Sequence, residues 1–231
     1  MFRVYNDGII MREKILFIVN NLREFQSKEY IKKYLGNIDY TVKTNLPKDT
    51  SKYHLVVLWN YRKIIKNVED KNNIILFHSS DLPKGKGWAP IYHAIYNEQK
   101  YYIISGIFAA EKVDSGDIII QAKFRIRPNY TAEFVRKLDN EISMMMIRKI
   151  LVKFKNKKIE GKKQSGRSTY FKRRKPEDNE LKGKKIFNHL RACEEQHPAF
   201  FYYKNEKFIV TIKPEKPPVF PSDLQISFPK K

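Results

Sequence analysis

Three short runs constrain this chain more than any other feature. Lys14 to Val19, Tyr53 to Trp59 and Asn73 to Phe77 are almost wholly apolar, without the alternation of a strand that wets one face. Such runs read as strands buried on both faces, the kind found inside parallel sheets. Between them, Leu22, Phe25, Ile31, Tyr34 and Leu35 fall near a helical period, Gly36 is placed to stop that helix, and Tyr40 to Val42 is a weaker strand candidate. Downstream, Trp88 to Asn97 predicts a short helix with Pro90 in its first turn. Tyr101–Phe108 and Ile118–Phe124 predict two further strands. From Thr131 to Phe154 the residues Phe134, Leu138, Ile142, Met146 and Ile150 recur at helical spacing, with Thr131 as cap and Met144 to Met146 as core packing. This alternation predicts an α/β fold built on a twisted open sheet, with ligands bound beyond the carboxyl ends of its strands.

The third apolar run ends at a histidine. His78 opens the loop Ser79-Ser80-Asp81-Leu82-Pro83-Lys84-Gly85-Lys86-Gly87-Trp88-Ala89-Pro90, and Asp114 follows 36 residues later in a second turn, Val113-Asp114-Ser115-Gly116-Asp117-Ile118. An imidazole titrates near neutral pH, and a carboxylate that reaches it holds its tautomer and favours the charged form produced when it accepts a proton. The pair reads as a general base with its orienting group. Asp117 reads as part of the turn. His54, His93, His189 and His197 read as structural or exposed.

His-x-Ser-x-Leu-Pro-x-x-x-Gly followed by Val-Asp-x-Gly-Asp-Ile resembles the 10-formyltetrahydrofolate-dependent formyltransferase family, which is methionyl-tRNA formyltransferase-like. The resemblance covers Lys14 to Leu151, roughly 60% of the chain, with a weaker echo at Thr169 to Asp178. It implies a Rossmann-like twisted open sheet with a small β-containing C-terminal region, and formyl transfer to an amine with His78 as base and Asp114 orienting it. It further implies 10-formyltetrahydrofolate as formyl donor, held by the loop carrying Tyr61, Arg62 and Ile64 and by Leu82 and Pro83. Ser80, Lys84, Lys86 and Trp88 then fall on the acceptor side, where a cation beside an indole suits a nucleotide. The family usually has a Gly-containing turn after the first strand, and Asn20-Asn21 takes its place.

One position departs from the family pattern. The tRNA and folate-dehydrogenase members have Asn-x-His, whose amide is taken to hold the oxyanion, and here Leu76 stands at that position. Leucine donates no hydrogen bond, so an active enzyme needs a substitute: Ser79, Ser80, a loop amide or a water. The other reading of Leu76 is an inactive relative.

The acceptor is read from the rest of the chain. His-Ser-Ser-Asp-Leu-Pro-Lys-Gly-Lys-Gly-Trp and the tail residues Arg191-Ala192-Cys193 and Gln196 to Phe201 resemble the sugar N-formyltransferase branch, so the expected partner is a nucleotide-linked amino sugar. The net charge of +21 keeps methionyl-tRNA as the alternative acceptor. A non-catalytic nucleic-acid-binding module would interleave aromatics with its basic runs, and Lys153 to Lys163 has only Phe154. The expected domains are an extension or extra strand at 1–13, a catalytic domain at 14–154, a basic linker at 155–167 and a small subdomain at 168–231, in which Lys185 to Cys193 is helical and Pro214, Pro217, Pro218 and Pro221 exclude long elements. One cysteine, no apolar leader before Lys14, no membrane-length run and no metal-ligand spacing lead to an expectation of a cytoplasmic protein without a metal; a homodimer is compatible with this reading.

Overall fold

The computed structural model describes residues 14–25, 27–65, 73–155, 157–183 and 185–230, so the extension expected at 1–13 lies outside them. In chain order the elements are β1 (Lys14–Ile18), α1 (Lys28–Leu35), β2 (Asp39–Lys43), β3 (Leu55–Leu58), β4 (Ile74–His78), β5 (Lys86–Gly87), α2 (Pro90–Tyr96), β6 (Tyr101–Phe108), β7 (Ile118–Arg125), α3 (Ala132–Lys153), β8 (Tyr170–Phe171), α4 (Ile186–Ala192), β9 (Ala199–Tyr203), β10 (Glu206–Val210) and β11 (Gln225–Ser227). Among the described residues seven strands form one sheet in the order β11-β7-β6-β4-β3-β1-β2. β2, β1, β3 and β4 run parallel; β6, β7 and β11 add on antiparallel.

The unalternated runs are buried on both sides because two layers of core cover them. Ile15, Phe17, Val57 and Ile75 join the larger cluster with α1 and α3, whereas Leu16, Ile18, Val56, Leu58 and Ile74 form a second cluster on the opposite face. That assignment follows the two-residue period of a strand. α3 presents Leu138, Ile142, Met146, Ile147 and Ile150 to the core, all buried, and burial of each such side chain contributes about 1.5–3 kcal/mol. Thr131 caps it by accepting from the Phe134 amide.

The helix expected from Leu22 to Leu35 is split. Asn21 caps a single 3-10 turn at Leu22–Glu24, the chain extends at Phe25, and Ser27 starts α1 by accepting from the Tyr30 amide at 3.2 Å. Two short capping residues six apart each begin their own element, and Phe25 packs its ring on Phe17 and Trp59. Residues 157–163 do more than connect. Ile159 is buried, and Lys162 exchanges two backbone hydrogen bonds of 2.8 Å with Ile118 at the start of β7. The proline-rich tail returns to the main sheet: β11 pairs with Gln121 to Lys123, and Phe220, Leu224, Ile226 and Phe228 pack on the larger cluster.

Candidate active site

β1 has its sequence neighbour β2 on one side and β3 on the other, so a crevice opens at the carboxyl ends of β1 and β3, beside β4. Asn20 spans that opening. Its amide donates to the Asn60 carbonyl at 2.7 Å, and its oxygen accepts from the Arg62 amide at 3.0 Å. The asparagine that replaces the family's Gly turn thereby fixes the loop carrying Tyr61, Arg62 and Ile64. Arg62 and Ile64 are exposed, while Tyr61, Ile65, Leu76 and Ala109 pack against the second cluster. Tyr61 and Ile65 follow β3 and Leu76 pairs with its last residue, Leu58, whereas Ala109 lies at the amino end of β4, where its amide donates to the Ile74 carbonyl.

His78 is the last residue of β4, and its side chain is only 8% exposed. Its Nδ1 lies 3.4 Å from Asp114 Oδ2, and Nε2 lies 2.8 Å from the Gly85 carbonyl oxygen. The ring can donate to both only when both nitrogens carry a proton. The two residues 36 apart in sequence therefore meet in space.

Asp114 is held in the left-handed region at φ +50°, a conformation aspartate tolerates better than most residues. Its Oδ2 also accepts from the Gly87 amide at 2.9 Å. Gln164 donates to the carbonyls of Asp114 and Gly116, both at 2.8 Å. Glycine is obligatory at 116, where a Cβ would lie 1.8 Å from the Phe108 carbonyl oxygen. Asp117 contributes its carbonyl to the Phe108 amide.

The loop after His78 is clamped from outside. Thr169 Oγ1 accepts from the Gly85 amide at 2.8 Å, and the Thr169 and Phe171 carbonyls accept from the Lys86 and Trp88 amides, each at 3.0 Å. This pairing of β5 with β8 explains the weaker sequence echo near Thr169. The Leu82–Pro83 peptide is cis, and the Leu82 side chain is buried. Lys84 is exposed and Lys86 half-buried. Trp88 is 38% exposed, and the Arg173 guanidinium sits 4.9 Å from its ring centre, so one face of the indole already carries a cation from this chain.

Of the stand-ins for the missing asparagine, Ser79 is committed: its hydroxyl donates to Asp139 Oδ2 at 2.5 Å. Ser80 Oγ is buried without a partner among the described residues, and its carbonyl accepts from Ser105. Asp139 also takes the Tyr102 hydroxyl at 2.5 Å and lines, with Trp59, Asn60, Phe77 and Asn140, a small depression of about 10 Å³, room for about one water. Burial raises its carboxyl above the ordinary range, opposed by Ser79, Tyr102, Arg136 and His78.

Among the other histidines, His93 stacks on Phe171 at 3.7 Å, and burial, with Arg174, pushes it down to about 4, so it packs as a neutral ring. His189 joins the Tyr92 hydroxyl to the Asn179 carbonyl. Asp139 and Gln164 are residues of this neighbourhood that motif reading passed over, and of the two only Asp139 carried a signal, an acid on the apolar stripe formed by Val135, Leu138 and Ile142.

The profile of the family described as formyl transferase matches residues 37–150. Methionyl-tRNA formyltransferase of Thermodesulfovibrio yellowstonii is 29% identical over 141 residues, covering 59% of this chain and 46% of that protein. The chain thus spans about half the length of the curated relatives it matches. The structure of methionyl-tRNA formyltransferase from Clostridium thermocellum superposes with TM-score 0.68 at 22% identity, covering 94% of this chain and 100% of that one. The N-formyltransferase from Helicobacter canadensis, in complex with folinic acid and dTDP-3-aminofucose, superposes with TM-score 0.61 at 20% identity, covering 84% and 85%. Over residues 37–150 this chain is thus a formyl transferase domain, and its described residues have the fold of those formyltransferase structures.

Proposed function

We propose that this protein transfers a formyl group from 10-formyltetrahydrofolate to the amine of a nucleotide-linked amino sugar. The observation that carries the reading is the 3.4 Å approach of His78 to Asp114 at the strand ends. The apolar surface of Tyr61, Ile65 and Leu76 suits a flat heteroaromatic ring, the Asn20-braced loop offers it backbone groups, and Leu82 and Pro83 complete the folate side in this reading. When bound, the folate supplies a formyl carbonyl and a leaving nitrogen. His78 releases the Gly85 carbonyl, accepts a proton from the attacking amine through Nε2 and returns it to the leaving nitrogen. Asp114 steadies the imidazolium through Nδ1. Ser80 has the unpartnered hydroxyl that can turn toward the developing oxyanion in place of the absent amide. Lys84, Lys86 and Trp88 bind the nucleotide portion of the acceptor.

The Helicobacter canadensis neighbour, solved with dTDP-3-aminofucose, supports the sugar acceptor. The curated relatives and the +21 charge support methionyl-tRNA as a second reading. Turnover with 10-formyltetrahydrofolate and either dTDP-3-aminofucose or charged initiator tRNA separates the two. His78→Ala should abolish transfer while leaving folinic acid affinity within a few-fold; unchanged turnover in that variant would sink the assignment.

A further inference from the structure

β6 carries one serine among apolar and aromatic residues. Ser105 stands within Tyr101–Phe108 at 0% exposure, where alanine or valine would pack without desolvating a hydroxyl. Its partners explain its place. Ser105 pairs with His78 of β4 on one side and with Gln121 of β7 on the other, so the three side chains form a row on one face of the sheet, the face of Leu76. Along that row the Gln121 amide donates to Ser105 Oγ at 3.0 Å, and Ser105 donates to the Ser80 carbonyl at 2.7 Å. The Ser80 amide in turn donates to the His78 carbonyl at 2.9 Å. Both main-chain groups of Ser80 are thereby tied down, and its hydroxyl is left without a partner among the described residues.

The two serines after His78 go to opposite faces. Ser79 reaches Asp139 on α3, whereas Ser80 rests against Ser105 on the face of His78. Ser80 also packs on the residue that meets the base. A Cβ on Gly85 would lie 3.1 Å from Ser80 Cβ and 3.5 Å from its Oγ, and the Gly85 carbonyl lies 2.8 Å from His78 Nε2. An amine that takes the place of that carbonyl comes in beside the Ser80 hydroxyl. The oxygen of the tetrahedral adduct is two bonds from the amine nitrogen, so hydroxyl and developing oxyanion share one side of the base.

We propose that Ser105, braced by Gln121, is a positioning residue for formyl transfer: it fixes the Ser80 peptide so that the Ser80 hydroxyl donates to the oxyanion in place of the missing asparagine. This rests on the proposed transfer reaction and on Ser80 as its oxyanion donor. Ser105 acts through one carbonyl. A serine hydroxyl takes its direction from the backbone that carries it and from one staggered torsion, and a donor arranged beforehand needs no reorganisation as charge develops. Gln121 does a second job. By donating to Ser105 Oγ it fills an acceptor site and leaves the Ser105 proton for the Ser80 carbonyl.

The test is a double-mutant cycle over the wild type, Ser80→Ala, Ser105→Ala and the pair, with 10-formyltetrahydrofolate and dTDP-3-aminofucose as substrates and calorimetry with folinic acid alongside. Ser80→Ala should lower kcat about 100-fold or more, the range of one lost oxyanion donor. Ser105→Ala should lower kcat about 10- to 100-fold, with KM for both substrates and folinic acid affinity within a few-fold of wild type. Where Ser80 is already alanine, the same change should alter kcat less than about 2-fold. Losses that multiply in the double variant would overturn the positioning role and leave Ser80 its own, since a merely structural serine acts independently of that hydroxyl. Unchanged turnover in Ser80→Ala would end the oxyanion reading and this proposal with it. Turnover of charged initiator tRNA instead of the amino sugar changes only the acceptor with which the cycle is read, and turnover of neither would end the transfer reading and this proposal together. If Ser105→Ala does not fold, the half-buried Gln121 supplies the cycle. Gln121→Leu should lower kcat about 2- to 10-fold, the range of one neutral hydrogen bond, and only while Ser80 is present; an equal loss in the Ser80→Ala background would overturn the proposal.

Discussion

Ser80 and Asp139 flank one strand end, the first with an unpartnered hydroxyl and the second with a carboxylate that burial keeps from ionising readily. Because the Asp139 carboxyl is raised above its ordinary value of 3.8, the folded state holds that proton more firmly than the unfolded chain does. Its contribution to stability is therefore full below the ordinary value and is lost as pH rises through the raised one. Asp139→Asn cannot ionise, so its melting temperature should gain on the wild type as pH rises from about 4 to 8. Thermal unfolding across that interval checks this, and a constant difference would show that the charge carries no such cost. Leu76 shows how far residue reading reaches. Its chemistry, the lack of a donor, was plain from the sequence. Its place beside Leu58, with Tyr61 and Ile65 on the same cluster, required β3 and β4 to be paired.

The aspartate turn is an element that four separate segments assemble. Gly116 lets the chain pass against the Phe108 carbonyl, Gly87 donates to the Asp114 side chain, and Gln164 covers two carbonyls from a stretch that sequence reading assigned to a linker. Removing one partner of a buried hydrogen bond costs about 1–3 kcal/mol. Gln164→Ala should therefore lower stability by about that amount, measured by urea denaturation, and lower kcat by loosening the φ +50° geometry of Asp114. Full activity with unchanged stability would mean the glutamine is incidental. The short elements were legible where local chemistry decides them: Pro90 in the first turn of α2, Thr131 capping α3, Gly36 closing α1. Residues 159–164 were not, because a backbone bridge such as that between Lys162 and Ile118 leaves no period in the side chains.

For the whole molecule, the +21 charge acts at long range and will draw any polyanion, so affinity alone does not identify the acceptor. Salt dependence does. Transfer to a nucleotide sugar, which neutralises only a few charges, should lose only a modest part of its kcat/KM between about 50 and 200 mM salt, whereas 6–10 phosphate contacts to tRNA would cost about 10³–10⁵ in affinity. A steep slope measured with the nucleotide sugar would exclude the few-charge acceptor site described here. The parallel core, its depth in the layer stack and the imidazole at the end of its third run were determined by sequence alone, since unalternated apolar runs have no stable home except between two layers. Tertiary structure alone decided which distant groups share a strand end: that Asp139 comes to the residue after His78, that Gln164 closes the Asp114 turn, and that Gln225–Ser227 returns past four prolines to finish the sheet. Those partners are chosen by crossing distance and hydrogen-bond direction, quantities that exist only once the chain is folded.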